Sequence, residues 1–411
     1  MIVSGLLKRN IRDYRRIVGD EIVEKILSIA DELKGYSITH VNSTPFGGGV
    51  AELLYSIVPL LNSIGIKTVW EVIEASREFF SITKKIHNAL QGAEVDLSNN
   101  EKQLYLNINR INAEKQLRLN TDIIIVHDPQ PLALRKFLND DHKWVWRCHI
   151  DLSSPHKSML KFISELLKGY DASIYHMEEY IHPDIPTPKK FTIPPSIDPL
   201  NDKNKELTYS EIVKILSKFD VDPEKPIIVQ VARFDPWKDP IGAIDTYRLV
   251  KNKIPNVQLL LIANMAYDDP EGWIYLEKAI RHAGEDKNIY FLTNLIGVGP
   301  LEVNAFQRAA NVAIQLSIKE GFGLAVAEAL WKKTPVVARP SGGIKIQVID
   351  GLTGYLVHSI EEAANKIIYL LKNPNTGRKL GENGHKLVKK NFIVTRHIEN
   401  YIEMLKNLLN V

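Results

Sequence analysis

Doubly wound α/β architecture, repeated in two domains, is the fold class this sequence predicts, and three observations carry it. Short apolar runs of strand length alternate with amphipathic stretches along most of the chain. Most of the runs are β-branched and apolar on both faces, as parallel strands covered by helices must be. The alternation also restarts after a polar, turn-rich break, DPLNDKNKEL at 198–207 and VDPEKP at 221–226. A chain of 411 residues has room for two or three such domains.

The first series of candidate strands is SITHVN (37–42), TVWEVI (68–73), DIIIVHD (122–128), WVWRCHI (144–150), ASIYHM (172–177) and FTIPPSI (191–197). The second is PIIVQVARF (226–234), VQLLLIAN (257–264), NIYFLTN (288–294), VAIQLSI (312–318) and PVVARP (335–340). Helical spacing fills stretches between them, for example 50–65 and 241–254, and returns at 391–410. The expected domains are 1–205 and 206–390, with 391–411 as a C-terminal helix.

Composition excludes several classes. Hydrophobic residues make up 45% and charged residues 25%, enough for a sizeable core. The 52 basic and 49 acidic residues are interspersed, which argues against nucleic-acid or membrane-surface partners. One cysteine, Cys148, rules out an internal disulfide framework and fits a reducing compartment. The N-terminus lacks a signal-peptide core and no apolar run reaches the ~20 residues of a membrane span. A cytoplasmic protein is expected. The abundance of Ile, Lys and Glu suggests a thermophile.

Open α/β sheets bind ligands beyond the carboxyl ends of their strands, so those ends are where chemistry is sought. After 37–42 come Gly47, Gly48 and Gly49, leading into a helix. Glycine lets backbone amides approach an anion or sugar closely; a flexible turn is the competing reading. The pattern is not the Gly-x-Gly-x-x-Gly dinucleotide fingerprint. After 226–234, Arg233 and Lys238 leave the strand as two cations five positions apart, suited to a diphosphate. After 312–318 comes KEGFGLAVAEALW (319–331). Gly321 and Gly323 permit a tight turn around Phe322, and a helix begins near Leu324. Amides of Gly323, Leu324 and Ala325 would then face phosphate. Glu320 stands at the strand exit and Glu328 inside the helix, bracketing a phosphorylated, hydroxyl-rich ligand. Glu328 is ringed by apolar residues, so a lone carboxylate there needs a partner; a solvated face is the alternative. Ser341-Gly342-Gly343-Ile344 comes after the next strand. In the first half, His149 and Asp151 leave 144–150, and His127 and Asp128 close 122–128 in the same way; a structural loop histidine is the competing reading. No spacing resembles a structural zinc site.

These residues carry a resemblance. Arg233, Lys238 and Glu320…Glu328, followed by Gly342-Gly343 and Asp350-Gly351-x-Thr353-Gly354, resemble the pattern of retaining GT-B glycosyltransferases. In HVNSTPFGGGVAELL, FFSITKKIHNALQG, VHDPQPLAL, WRCHIDLSSP, PPSIDPL and RFDPWKDP the chain closely resembles the trehalose glycosyltransferring synthases, and it is similar to trehalose phosphorylases. The resemblance implies a GT-B fold, two Rossmann-like domains facing across a cleft. It also implies a transfer of glucose from ADP- or UDP-glucose to free glucose, giving trehalose. Arg233 and Lys238 would bind the diphosphate, Glu320 the donor glucose and Glu328 the ribose. His149 would contact the donor sugar with Asp151 beside it. The Gly47–Gly49 loop would meet phosphate and sugar, and His87, Asn88 and Asp151 the acceptor. No obligatory cofactor is implied; stimulation by Mg²⁺ and a homodimer stay open. Two positions depart from many relatives: Asp239-Pro240 where Gly follows the Lys, and Ile346 where an acid stands. A phosphorylase, a GT-B nucleotide-sugar epimerase and a catalytically silent nucleotide-sugar-binding protein are the competing functions.

Overall fold

The structure, a computed structural model, describes residues 1–46, 48–115, 121–138, 141–265 and 270–411. It divides into two compact units, one formed by Met1–Ser196 with Val394–Val411 and the other by Ile197–Ile393.

The first unit holds strands β1 (Ser37–Asn42), β2 (Lys67–Val72), β3 (Ile123–His127), β4 (Lys143–Arg147), β5 (Ala172–Tyr175) and β6 (Lys189–Thr192). They form one parallel sheet in the order β2-β1-β3-β4-β5-β6. Its interior strands are buried apart from Ser37 and Lys143 at their starts, Ile123 to Val126 fully, which explains their two-faced apolar composition. The strand expected at 191–197 ends early. Ile193 still donates to the Tyr175 carbonyl at 2.8 Å, but Pro194 and Pro195 have no N–H to continue the ladder. Helix Gly48–Ser63 comes after β1 and helix Arg77–Leu90 after β2; the latter is capped by Ser76, whose hydroxyl accepts from the Phe79 amide at 3.3 Å. The C-terminal helix Val394–Leu409 belongs to this unit. It buries Ile398, Tyr401, Ile402 and Leu405, and Glu399 pairs with Lys25 at 2.6 Å.

The second unit holds β7 (Ile227–Val231), β8 (Gln258–Ala263), β9 (Ile289–Thr293), β10 (Val312–Gln315), β11 (Val336–Ala338) and β12 (Gly354–Leu356). The sheet is again parallel, in the order β12-β11-β10-β7-β8-β9. Strand β12 is absent from the expected series; three residues are too few to show a period. Gly354 lets it approach β11, since a Cβ there would lie 2.3 Å from the Val336 carbonyl oxygen. The polar break at 198–207 is folded onto this unit. Asn304 Nδ2 donates to the carbonyls of Asp202 and Lys205 at 2.9 and 2.8 Å, and the Trp331 indole donates to that of Asn204 at 3.2 Å.

Each sheet reverses its direction of growth once, between β1 and β3 and between β7 and β10. Those switch points open the crevices in which doubly wound sheets bind ligands. Among the described residues no helix is long and apolar enough to cross a membrane.

Candidate active site

In the second unit the loops after β7 and β10 meet. The Ile318 amide donates to the Trp237 carbonyl at 2.7 Å, and Lys238 Nζ donates to Glu320 Oε2 at 2.8 Å. Both side chains are about one-seventh exposed. Ser317 Oγ also donates to Glu320, at 3.2 Å, and Gln230 Nε2 holds the Lys238 carbonyl at 2.8 Å. Arg233 points outward from the same loop, 64% exposed, with its guanidinium 3.1 Å from Asp235. Asp235 in turn accepts from the Lys238 amide at 3.0 Å. Thus a cation, a carboxylate and a second, outward-facing cation stand at one switch point.

Helix Leu324–Trp331 begins beside them. Its first amides have no partner inside the helix and carry the positive end of its dipole. Gly323 sits at φ +84°, and a Cβ there would press on Glu320 Cγ and Ile344 Cγ1 at 3.3 Å. Gly343 is tighter: a Cβ would lie 2.7 Å from Phe322 Cα. Gly321 accepts from the Gly343 amide at 3.2 Å. The Phe322 side chain is buried against Phe392, so it supports the loop from beneath. Leu324 and Ala325 are half-buried at the helix start.

Asp239 occupies the left-handed region, φ +49° and ψ +58°. Glycine adopts this backbone without strain, whereas a residue with a Cβ does not. Here the strain is offset by two contacts. Asp239 caps the next helix through the Gly242 amide at 2.9 Å and pairs with Arg339 at 2.7 Å. Arg339, Ser317, Ser341 and His358 border a cavity of about 400 Å³ beyond β10, β11 and β12.

Glu328 is fully buried, which overturns the solvated-face alternative. Its partner comes from the folded break: Lys203 Nζ lies 2.8 Å from Glu328 Oε1. Lys332 reinforces the contact, donating to the Glu328 carbonyl at 3.1 Å and to Asn204 Oδ1 at 2.8 Å. No local pattern marks Lys203; 125 positions separate it from Glu328.

In the first unit a cavity of about 150 Å³ opens at the β1/β3 switch point, lined by Asn42, Gly48, Gly49, His127, Asp128 and neighbours. Gly47 lies outside the described residues. In sequence Asp128 marks only a strand end, yet it is the most constrained group here. It holds φ +61° ahead of a proline. Its amide donates to the Arg147 carbonyl at 2.9 Å, its carbonyl accepts from the Trp146 indole at 3.2 Å, and Oδ1 accepts from the His149 amide at 2.8 Å. Burial pushes its carboxyl up to about 7.

His149 joins a row of imidazoles: His127 Nδ1 lies 2.9 Å from its Nε2, and His176 Nε2 lies 3.1 Å from its Nδ1. Burial, and then the charge of Arg147, hold His149 well below the usual histidine range. With both ring nitrogens and the amide engaged, its carbonyl is the remaining polar atom. Asp151 accepts from the Ser153 amide at 2.9 Å in a local turn. His87 and Asn88 lie half-buried in the last turn of Arg77–Leu90, and the His156 amide ties that helix end to the loop after Asp151 through the Ala89 carbonyl at 2.8 Å.

Two parallel sheets with polar loops at their switch points define the class. The protein has the GT-B glycosyltransferase fold, and residues 213–387 match the model for glycosyl transferases group 1. Residues 40–182 match that for trehalose synthase, N-terminal domain. The chain is 54% identical over 402 residues to a trehalose synthase of Pyrococcus horikoshii, covering 98% of this chain and 97% of the relative. It is 44% identical to a trehalose synthase of Rubrobacter xylanophilus, covering 97% of each. The chain therefore belongs to the trehalose synthase family of glycosyltransferases. Among solved structures, a sucrose-phosphate synthase from Thermosynechococcus elongatus superposes with a TM-score of 0.71 at 18% identity, covering 91% of this chain and 99% of that one.

Proposed function

We propose that the chain is a retaining glycosyltransferase that makes α,α-trehalose from ADP- or UDP-glucose and free glucose, and that the reaction runs in both directions. The observation that carries the donor side is the second-unit crevice, where Lys238, Glu320 and the start of helix Leu324–Trp331 converge. A nucleoside diphosphate carries charge for Arg233, Lys238 and the helix amides, and hydroxyls for the two glutamates. A phosphorylase would leave Glu328 without a ribose to hold.

The chemistry rests on what these groups supply. We read neither glutamate as a hydrolytic acid or base, because Glu320 is tied to Lys238 and Glu328 to Lys203. Retention without an enzymic nucleophile implies attack from the face the diphosphate leaves. As the C1–O bond to phosphate breaks, the departing phosphate oxygen takes the proton of the acceptor hydroxyl. A new C1–O bond forms on the same face. Arg233, Lys238 and the amides of Gly323, Leu324 and Ala325 stabilise the leaving charge. Orientation supplies much of the remaining barrier reduction. On the acceptor side, the cavity beside Gly48, Gly49 and Asp128 offers donors and acceptors suited to sugar hydroxyls. We assign His149 and Asp151 to the donor sugar, and Asp151, His87 and Asn88 to selection of the acceptor's anomeric hydroxyl.

Incubation with ADP-glucose or UDP-glucose and glucose, followed by NMR of the product, tests this reading. Non-reducing α,α-1,1-linked disaccharide is expected. A reducing disaccharide, a β linkage or free epimerised sugar would overturn the acceptor assignment. Omitting glucose separates the transferase from an epimerase, and replacing nucleotide by phosphate separates it from a phosphorylase.

A further inference from the structure

Four histidines from four adjacent strands of the first sheet stand in one row. His40 is in β1, His127 ends β3, His149 lies just beyond β4 and His176 just beyond β5, in the order in which those strands neighbour each other. His40 Nδ1 lies 2.9 Å from His127 Nε2, His127 Nδ1 2.9 Å from His149 Nε2, and His149 Nδ1 3.1 Å from His176 Nε2. Every junction joins an Nδ1 to an Nε2.

That regularity has a chemical consequence. A bond between ring nitrogens needs one N–H and one lone pair, and a neutral imidazole carries one proton. Burial keeps three of these rings neutral: it lowers His40 to about 3 and His127 and His149 well below their usual range; a neutral ring at His176 completes the row. Four rings then bring four protons to three junctions, and the fourth must sit at one end. Whichever end it takes, all four rings share one tautomer. Both ends of the row are buried: His40 Nε2 and His176 Nδ1 each lack a hydrogen bond among the described residues, so burial alone does not choose between them. The buried Arg147 cation bears on the His40 ring. The cation therefore sets the direction: beside Arg147 a lone pair at His40 Nε2 is favoured over an N–H.

We propose that His40, His127, His149 and His176 form one directional hydrogen-bond chain with every proton on Nδ1, and that His176 is a positioning residue which locks His149 for sugar transfer. The role in transfer rests on the trehalose-forming reading; the chain itself does not. Together with the bond from the His149 amide to Asp128, the chain fixes His149 at ring and backbone. Groups that orient a contacting residue in this way commonly matter at the level of rate.

Two measurements on the full-length protein decide it. In a sample labelled with ¹⁵N-histidine, long-range ¹H–¹⁵N correlations at neutral pH should show four rings with protonated Nδ1 and bare Nε2, the minority form of free histidine. Mixed tautomers, or protonated Nε2 in these rings, overturn the chain. The second is a pair of variants. His176→Leu removes the acceptor for the His149 Nδ1–H, whereas His176→Gln places an amide oxygen near it. His176→Leu should lower kcat about tenfold with KM for the nucleotide-glucose within about twofold, and His176→Gln should recover most of the loss. Equal activity in the two variants overturns the positioning role. If the wild-type chain makes no trehalose the functional reading fails, while the spectrum still decides the chain.

Discussion

Lys238 Nζ and Glu320 Oε2 stand 2.8 Å apart across 82 positions of sequence, so the cation assigned to the leaving diphosphate is held by the carboxylate assigned to the donor sugar. The pair presets both side chains at the β7/β10 switch point. On the proposed reading, a diphosphate arriving there would compete for Lys238 and leave Glu320 to accept from sugar hydroxyls.

Arg233→Ala and Lys238→Ala should each lower kcat by about 10²–10³, the usual loss when one donor to a developing negative charge is removed. Lys238→Ala should also disturb sugar binding, because Glu320 loses its anchor, whereas the largely exposed Arg233 should affect only the diphosphate. Steady-state kinetics with the nucleotide-glucose varied distinguish the two. Wild-type turnover in either variant would remove that residue from the mechanism.

Glu328→Gln should weaken nucleoside diphosphate binding, and Glu320→Gln should chiefly slow transfer. The buried Lys203 contact adds a second expectation. Lys203→Met takes the cation from a fully buried carboxylate, so stability should fall by about 3–5 kcal/mol. Calorimetric titration of nucleoside diphosphate and denaturant unfolding check these in turn. Lost nucleotide affinity in Glu320→Gln alone would exchange the roles.

Asp239 offers a test of strain against capping. Asp239→Ala loses the cap to Gly242 and the Arg339 pair while keeping the left-handed backbone, and should cost about 2 kcal/mol. Asp239→Gly loses the same contacts but relaxes the backbone, so about 1 kcal/mol is expected. Chemical denaturation that ranks glycine below alanine would show that φ at this position carries no strain.

Acid should unfold the first unit steeply. His40, His127, His149 and His397 are all lowered by burial, so the unfolded chain binds protons below about 6.5 that the folded chain refuses. Asp128 works in the opposite sense, since its raised carboxyl binds a proton in the fold up to about 7. The unfolded state therefore gains a net of about three protons from these groups near pH 5. Stability should rise with pH across that window, by roughly 4 kcal/mol per unit. Denaturant midpoints at pH 7.5 and 5.5 measure it; an unchanged midpoint would mean that the rings are not buried and neutral.

Local sequence was enough for the architecture, and it marked the strand ends at which ligand binding is proposed. Runs such as IIIVH and QLLLIA have the two-faced apolar character of interior parallel strands. The residues just past each strand end, from Gly48-Gly49 to Glu320-Gly321-Phe322-Gly323, are local and visible. Which of those ends meet depends on the folded chain. Lys203 reaches Glu328, and Asp128 takes a left-handed backbone between Arg147 and His149, because of strand register and loop closure. The histidine row is the plainest case. Its members lie 87, 22 and 27 positions apart in sequence, and one residue of slip in any strand would turn an imidazole away. Periodicity reports which face of an element is buried; it carries no information about which distant side chain is buried against it. That is set only when the strands pair and the core closes over them.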